Sequence, residues 1–208
     1  MKIIELTDEV KELTEMPKIN KRDLPYMQSN CIPISSLESS YTFIDSFGNN
    51  EMYAFNRGNK FVIVDTVITD NQCKRLHLRL LTEDVIFPTD KVLSHINTKF
   101  KKQTRFVEVS EELANEGLAT KIYTYLISNN YTLVSDSEHY NGGQALWKKI
   151  ARDNNVFVAI WNTTDWLRDN DNNVICYDNI NINDNAIWGG NDKKTVYLVA
   201  SDTMENYI

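Results

Sequence analysis

The stretch 103–152, QTRFVEVSEELANEGLATKIYTYLISNNYTLVSDSEHYNGGQALWKKIAR, gathers the residues whose types and spacing could do chemistry. Asn115-Glu116-Gly117-Leu118-Ala119-Thr120 opens a helical pattern soon after a strand pattern that ends at Val109. A helix N-terminus leaves about four backbone N–H groups without intrahelical acceptors and carries roughly half a positive charge. Gly117 and Ala119 are small enough to let a pyrophosphate approach that backbone. The chemistry of the junction is therefore anion binding, although many strand–turn–helix junctions hold one glycine for purely structural reasons. Other reactive groups are sparse. Cys31, Cys73 and Cys176 are far apart with no CxxC pattern, and are expected as buried thiols of a reducing compartment. His77, His95 and His139 lack metal-ligand spacing, so no metal is expected.

The elements that must position this stretch follow from the hydrophobic periods. Leu6, Val10 and Leu13 have helical spacing, and Pro17 ends that helix. Residues 17–40, with Pro17, Pro25 and Pro33, read as an irregular arm, so 1–40 form an N-terminal helix and arm and 41–208 the main domain. From residue 41 the period becomes two. Strands are predicted over 41–47, 52–56, 60–68, 74–81, 92–98 and 104–109, with 99–103 turning between the last two. In 74–81 (KRLHLRLL), Leu76, Leu78 and Leu80 point inward and Arg75, His77 and Arg79 outward. A helix over 115–129 buries Leu118, Ile122, Tyr125 and Leu126, and a second over 141–152 buries Leu146, Trp147 and Ile150. Short strands are predicted at 131–135, 156–161, 174–177 and 195–200. Antiparallel strands followed by helix, strand, helix and more strands give an α+β or mixed α/β class.

The segment resembles the GCN5-related N-acetyltransferases (GNAT). Their pyrophosphate loop, Arg/Gln-x-x-Gly-x-Gly/Ala, lies between a strand and a helix, and Gly117-Leu118-Ala119 followed by Thr120-Lys121 matches its second half. Leu133-Val134-Ser135-Asp136 and Gly142-Gly143-Gln144-Ala145-Leu146-Trp147 are similar to a bacteriophage-encoded subset. The likeness spans about 50 residues closely and 41–102 and 153–200 loosely. It implies a GNAT-like (acyl-CoA N-acyltransferase) fold, a mixed and largely antiparallel twisted sheet flanked by helices. It also implies acetyl-CoA as cofactor and direct acyl transfer to an amine. The backbone of 106–109, Val107 and Val109 included, would pair with pantetheine, and the amides of Gly117, Leu118, Ala119, Thr120 and Lys121 would hold the pyrophosphate. Glu108 would be the base, or an outward residue of its strand; Tyr140 would be the acid, or an aromatic packing on the sheet; His139 could relay a proton. The loop's first position falls on Ala114 instead of Arg or Gln, with Glu111, Glu112 and Glu116 nearby. An alternative to catalysis is thus a binding protein of the same fold that neutralises a host factor such as a defence enzyme or toxin.

Charge sharpens that alternative. The chain has 208 residues and a net charge of −7; residues 1–110 are neutral and residues 111–208 carry the whole excess. Seven Asp and one Arg fall within 153–192, which makes the acidic 162–192 region with its tryptophans the expected face for a basic host protein; Trp161, Trp166 and Trp188 themselves read as core or partner-facing. The acidic balance argues against direct nucleic-acid binding. No apolar run reaches the ~18–20 residues of a membrane span, and the N-terminus lacks a signal-peptide core. A cytoplasmic location, host cytoplasm if phage-encoded, is expected.

Overall fold

The computed structural model describes residues 18–20, 31–47, 51–69, 72–85, 100–114, 116–136, 138–161, 165–178 and 197–207. Its strands are β1 (Lys18–Asn20), β2 (Cys31–Pro33), β3 (Thr42–Phe47), β4 (Met52–Arg57), β5 (Lys60–Ile68), β6 (Cys73–Asp84), β7 (Phe100–Val109), β8 (Tyr131–Val134), β9 (Glu138–Tyr140), β10 (Phe157–Trp161) and β11 (Tyr197–Ser201). The helices are α1 (Ile34–Ser40), α2 (Leu118–Ser128) and α3 (Asn141–Ile150), with 3-10 turns at Glu111–Leu113 and Met204–Tyr207. A 9-stranded sheet runs β10-β11-β8-β7-β6-β5-β4-β3, with β2 paired to β6 off that path. It is mostly antiparallel. β7 beside β8 is parallel, because α2 carries the chain back across the sheet. The class is mixed α/β, as the pattern of periods implied.

The chain divides into two compact units. One comprises residues 24–83 and 104–121. Its centre is β5, where Phe61, Val62, Ile63 and Val64 are all buried, so both faces of that strand are covered. Leu37 of α1 packs with Val62, Val64 and Leu76, flanked by Ile32, Tyr41, Tyr53 and Phe55. Residues 31–40 are therefore not irregular cover: β2 hydrogen-bonds to β6 in the register Cys31↔Arg75 to Pro33↔Cys73, and α1 seals one sheet face. Cys31 and Cys73 are joined as a disulfide, which corrects the expectation of free thiols; Cys176 is free.

The β5–β6 register steps from Ile63↔Leu78 directly to Val64↔Leu76. His77 is the extra residue of a β-bulge. Bulges re-aim side chains, and His77 is 4 % exposed instead of pointing to solvent as strict alternation required.

The other unit comprises residues 1–23, 84–103 and 122–208. The predicted turn at 99–103 is strand instead, since Phe100–Gln103 pair with Tyr131–Val134. Phe100 stacks on Tyr131 with centroids 4.5 Å apart, and Lys102 pairs with Asp84 at 2.5 Å, which hides the charge pattern that suggested a turn. Ile122, Leu126, Leu146, Trp147 and Ile150 are buried, the helix faces that their spacing predicted, while Tyr125 is half-buried. Val134, Ala159, Trp161, Trp166, Tyr197, Val199 and Tyr207 form a second core. The predicted strand at 174–177 is reduced to single bridges, Ala159↔Cys176 and Arg168↔Val174. β1 pairs with β9 in parallel, a contact no period signalled. The predicted helix before Pro17 and the strand at 92–98 lie outside the described residues.

Candidate functional site

β7, the 3-10 turn and the start of α2 place the residues of the anion-binding reading in one unit. Val107, Glu108 and Val109 lie half-buried at the C-terminal end of β7. The parallel register with β8 ends at Gln103↔Val134, and β7 continues through residues 104–109. Gly117 precedes α2 with φ 69°, a left-handed conformation that favours glycine. The Lys121 N–H donates to the Gly117 carbonyl at 3.0 Å and closes the first helical turn. Leu118 and Ala119 thus sit at the positive end of an 11-residue helix. Leu118 turns its side chain into the core, so only its backbone faces any ligand question; Ala119 and Thr120 are half-buried and Lys121 is exposed.

Glu108 is not an outward-facing carboxylate. Its side chain is 11 % exposed, and Oε2 lies 3.7 Å from Arg79 Nη1. Arg79 Nε is buried and, among the described residues, has no hydrogen-bond acceptor. Tyr140 ends β9, in the other unit, and its side chain lies outside the described residues, as does that of His139.

Ala114, at the loop's first position, is exposed, as are Glu111 and Glu116. Glu112 is held by Arg75, with Oε2 3.1 Å from Nη1. Three side chains that sequence reading did not connect meet behind this turn. His77 Nε2 lies 2.6 Å from Asp65 Oδ1, and His77 Nδ1 lies 3.3 Å from Ser110 Oγ. The Ser110 N–H donates to the His77 carbonyl at 2.8 Å, so the bulge also fixes where β7 ends. Glu112 Oε1 is 3.7 Å from the same Nδ1. The one sequence signal for this cluster is Asp65, the sole acid in the apolar run KFVIVDTVI.

In the acidic region, residues 162–164 and 179–192 lie outside the described residues, Trp188 among them. Trp166 is 6 % exposed and meets Tyr207 edge-on at 4.9 Å. It belongs to the core, one of the two readings its residue type allowed. Asp169 accepts hydrogen bonds from the Asn173 and Asp171 amides at 2.8 and 3.0 Å, and from the Asn173 side chain. These bonds, Asn173's first, hold its carboxyl below the usual range.

Among the described residues no helix is long and apolar enough to cross a membrane. Comparison with protein families, with curated proteins and with solved structures finds no match to this chain.

Proposed function

We propose that the chain binds an acyl-CoA along the end of β7 and the start of α2, and acts as an acetyl-CoA-dependent N-acyltransferase of the GNAT type. The observation that carries this reading is the strand–turn–helix–strand crossover itself. β7 and β8 are a parallel pair, their register stops at Gln103↔Val134, and β7 runs on to Val109 before Gly117 turns the chain into α2. A strand edge that leaves its partner can pair with an extended amide-bearing ligand such as pantetheine. The α2 N-terminus then offers backbone amides to the pyrophosphate. The ion pair with Arg79 keeps Glu108 on the same strand, within the reach of an acceptor amine bound there.

Calorimetry with acetyl-CoA tests the reading, and micromolar binding is expected. Gly117 is a poor position for the control, because its φ would strain any other residue. Ala119→Glu is better. A carboxylate in the first turn favours the helix but repels a diphosphate, so affinity should fall at least tenfold with the melting temperature kept. No binding at millimolar acetyl-CoA would remove the acyltransferase reading.

A second reading, a non-catalytic binding protein of the same fold directed at a host factor, is favoured by one feature. Glu111 and Glu116 are exposed around the turn, and Ala114 offers no cation to close it. Loss of acetyl-CoA binding together with tight, stoichiometric association with a basic host protein would select it.

A further inference from the structure

We propose that Ser110 is an activated nucleophile that accepts an acyl group from a thioester or aryl ester, with His77 as its general base and Asp65 as the positioning residue. The hydrogen-bond inventory sets the direction of proton flow. Asp65 is a carboxylate and can only accept, so at 2.6 Å the His77 Nε2 carries the proton and donates it. In the neutral ring Nδ1 is then an acceptor. Of its two neighbours, Glu112 has no proton to give, and Arg75 draws its other oxygen away at 3.1 Å. The Ser110 hydroxyl, at 3.3 Å, is the donor. A serine whose proton points at the free nitrogen of an imidazole, itself anchored by a carboxylate, is the arrangement that makes a hydroxyl nucleophilic.

The fold holds this alignment from three sides. The β6 bulge turns His77 inward, β5 supplies Asp65, and the bond from the Ser110 N–H to the His77 carbonyl pins the end of β7. His77 is 4 % and Ser110 5 % exposed, so the pair sits in a low-dielectric setting with Asp65, whose side chain is 33 % exposed, at its outer end. Among the described residues, Asp65 on β5, Ser110 just after β7, Glu112 on the 3-10 turn and, through Glu112, Arg75 on β6 are the polar groups that face the ring.

The step balances without a further reagent. Ser110 Oγ attacks the acyl carbonyl carbon as its proton passes to His77 Nδ1. The new O–C bond forms, the C–S or C–O bond to the leaving group breaks, and Nδ1 returns the proton to the departing thiolate or aryloxide. Water or an amine then takes the acyl group from Ser110; His77 Nδ1 accepts the nucleophile's proton and gives it to the departing Ser110 Oγ, which restores the hydroxyl and the neutral ring. This needs no CoA pocket, so it stands or falls apart from the cofactor reading.

The test uses the full chain with p-nitrophenyl acetate, a small ester suited to a serine with little exposed surface. A burst of one equivalent of p-nitrophenol and a single acetyl adduct on the Ser110 peptide are expected. Ser110→Ala should abolish the adduct and keep the circular dichroism of the wild type. Asp65→Asn should slow acylation at least tenfold and change its pH profile, which a merely structural role would not do. No adduct on Ser110, an adduct that persists in Ser110→Ala, or an Asp65→Asn rate within twofold of wild type would overturn the proposal.

Discussion

Tyr207 shows how much one side chain near the end of the chain holds in place. It is fully buried, and its hydroxyl donates towards the carbonyls of Phe157 at 3.1 Å and Val199 at 3.0 Å, one on each of two paired strands. Burial pushes the phenol well above its ordinary titration range, so it stays a donor at any physiological pH. The ring supplies a separate contribution, edge-on to Trp166. The two can be told apart. Tyr207→Phe keeps the ring and removes the hydroxyl; both carbonyls lie in a strand ladder, so the cost should be about 1 kcal/mol. Tyr207→Ala removes the ring and should cost about 3–5 kcal/mol. Urea midpoints at unchanged m-value will measure both. Equal losses would mean that the ring contributes nothing beyond its hydroxyl.

At the scale of elements, the most consequential link is between β2 and β6. Cys31 lies opposite Arg75 and Cys73 opposite Pro33, two register positions apart, with Cα atoms 5.9 Å apart and a sequence separation of 42. Closing a loop of that length restricts the unfolded chain by about 4 kcal/mol in the chain-entropy account. Reduction should therefore lower the free energy of unfolding by roughly that amount, and the double variant Cys31→Ser/Cys73→Ser should match the reduced wild type and ignore added reductant. Burial, reinforced by Asp178, pushes the Cys176 thiol up to about 11, so it is poorly suited to attack the bond and reshuffle it. A response to reductant that survives in the double variant would refute the assignment.

The same elements explain what the sequence could disclose. β5 was legible because four consecutive apolar residues admit few other readings, and α2 and α3 because their apolar spacing is helical. Residues 31–40 were not, since Pro33 reads as a breaker although it can end an edge strand and precede a helix. The glycine turn of the site was legible from Gly117 alone. The Asp65–His77–Ser110 alignment was not: its members are separated by 12 and 33 residues, and it depends on a bulge that no alternation announces.

At the scale of the whole molecule, the uneven charge has a different meaning once some acids have structural work. The excess of −7 lies entirely beyond residue 110. Within the described part of the acidic region, Asp169 organises a turn through the Asn173 and Asp171 amides, and Trp166 is core. Asp165 is 62 % exposed in its side chain, where it accepts from the Trp166 N–H at 2.7 Å, as an Asn there still could, and lies 3.9 Å from Arg168, while Asp171 is exposed. A basic partner would therefore feel Asp165 and Asp171, and the fold would feel Asp169. Exposed charge pairs contribute about 0.2–1 kcal/mol each, so Asp165→Asn/Asp171→Asn should weaken binding of an oligolysine probe by roughly two- to thirtyfold at low salt. The difference should vanish as salt shortens the screening length below about 8 Å, and both the melting temperature and any acetyl-CoA affinity should stay unchanged. Asp169→Ala should do the reverse, lowering the melting temperature near neutral pH. That difference should close in acid, because a carboxyl held below its ordinary range stabilises only above it and loses the effect as pH falls through its folded value. If the double variant binds oligolysine as the wild type does, these two acids do not form the docking face.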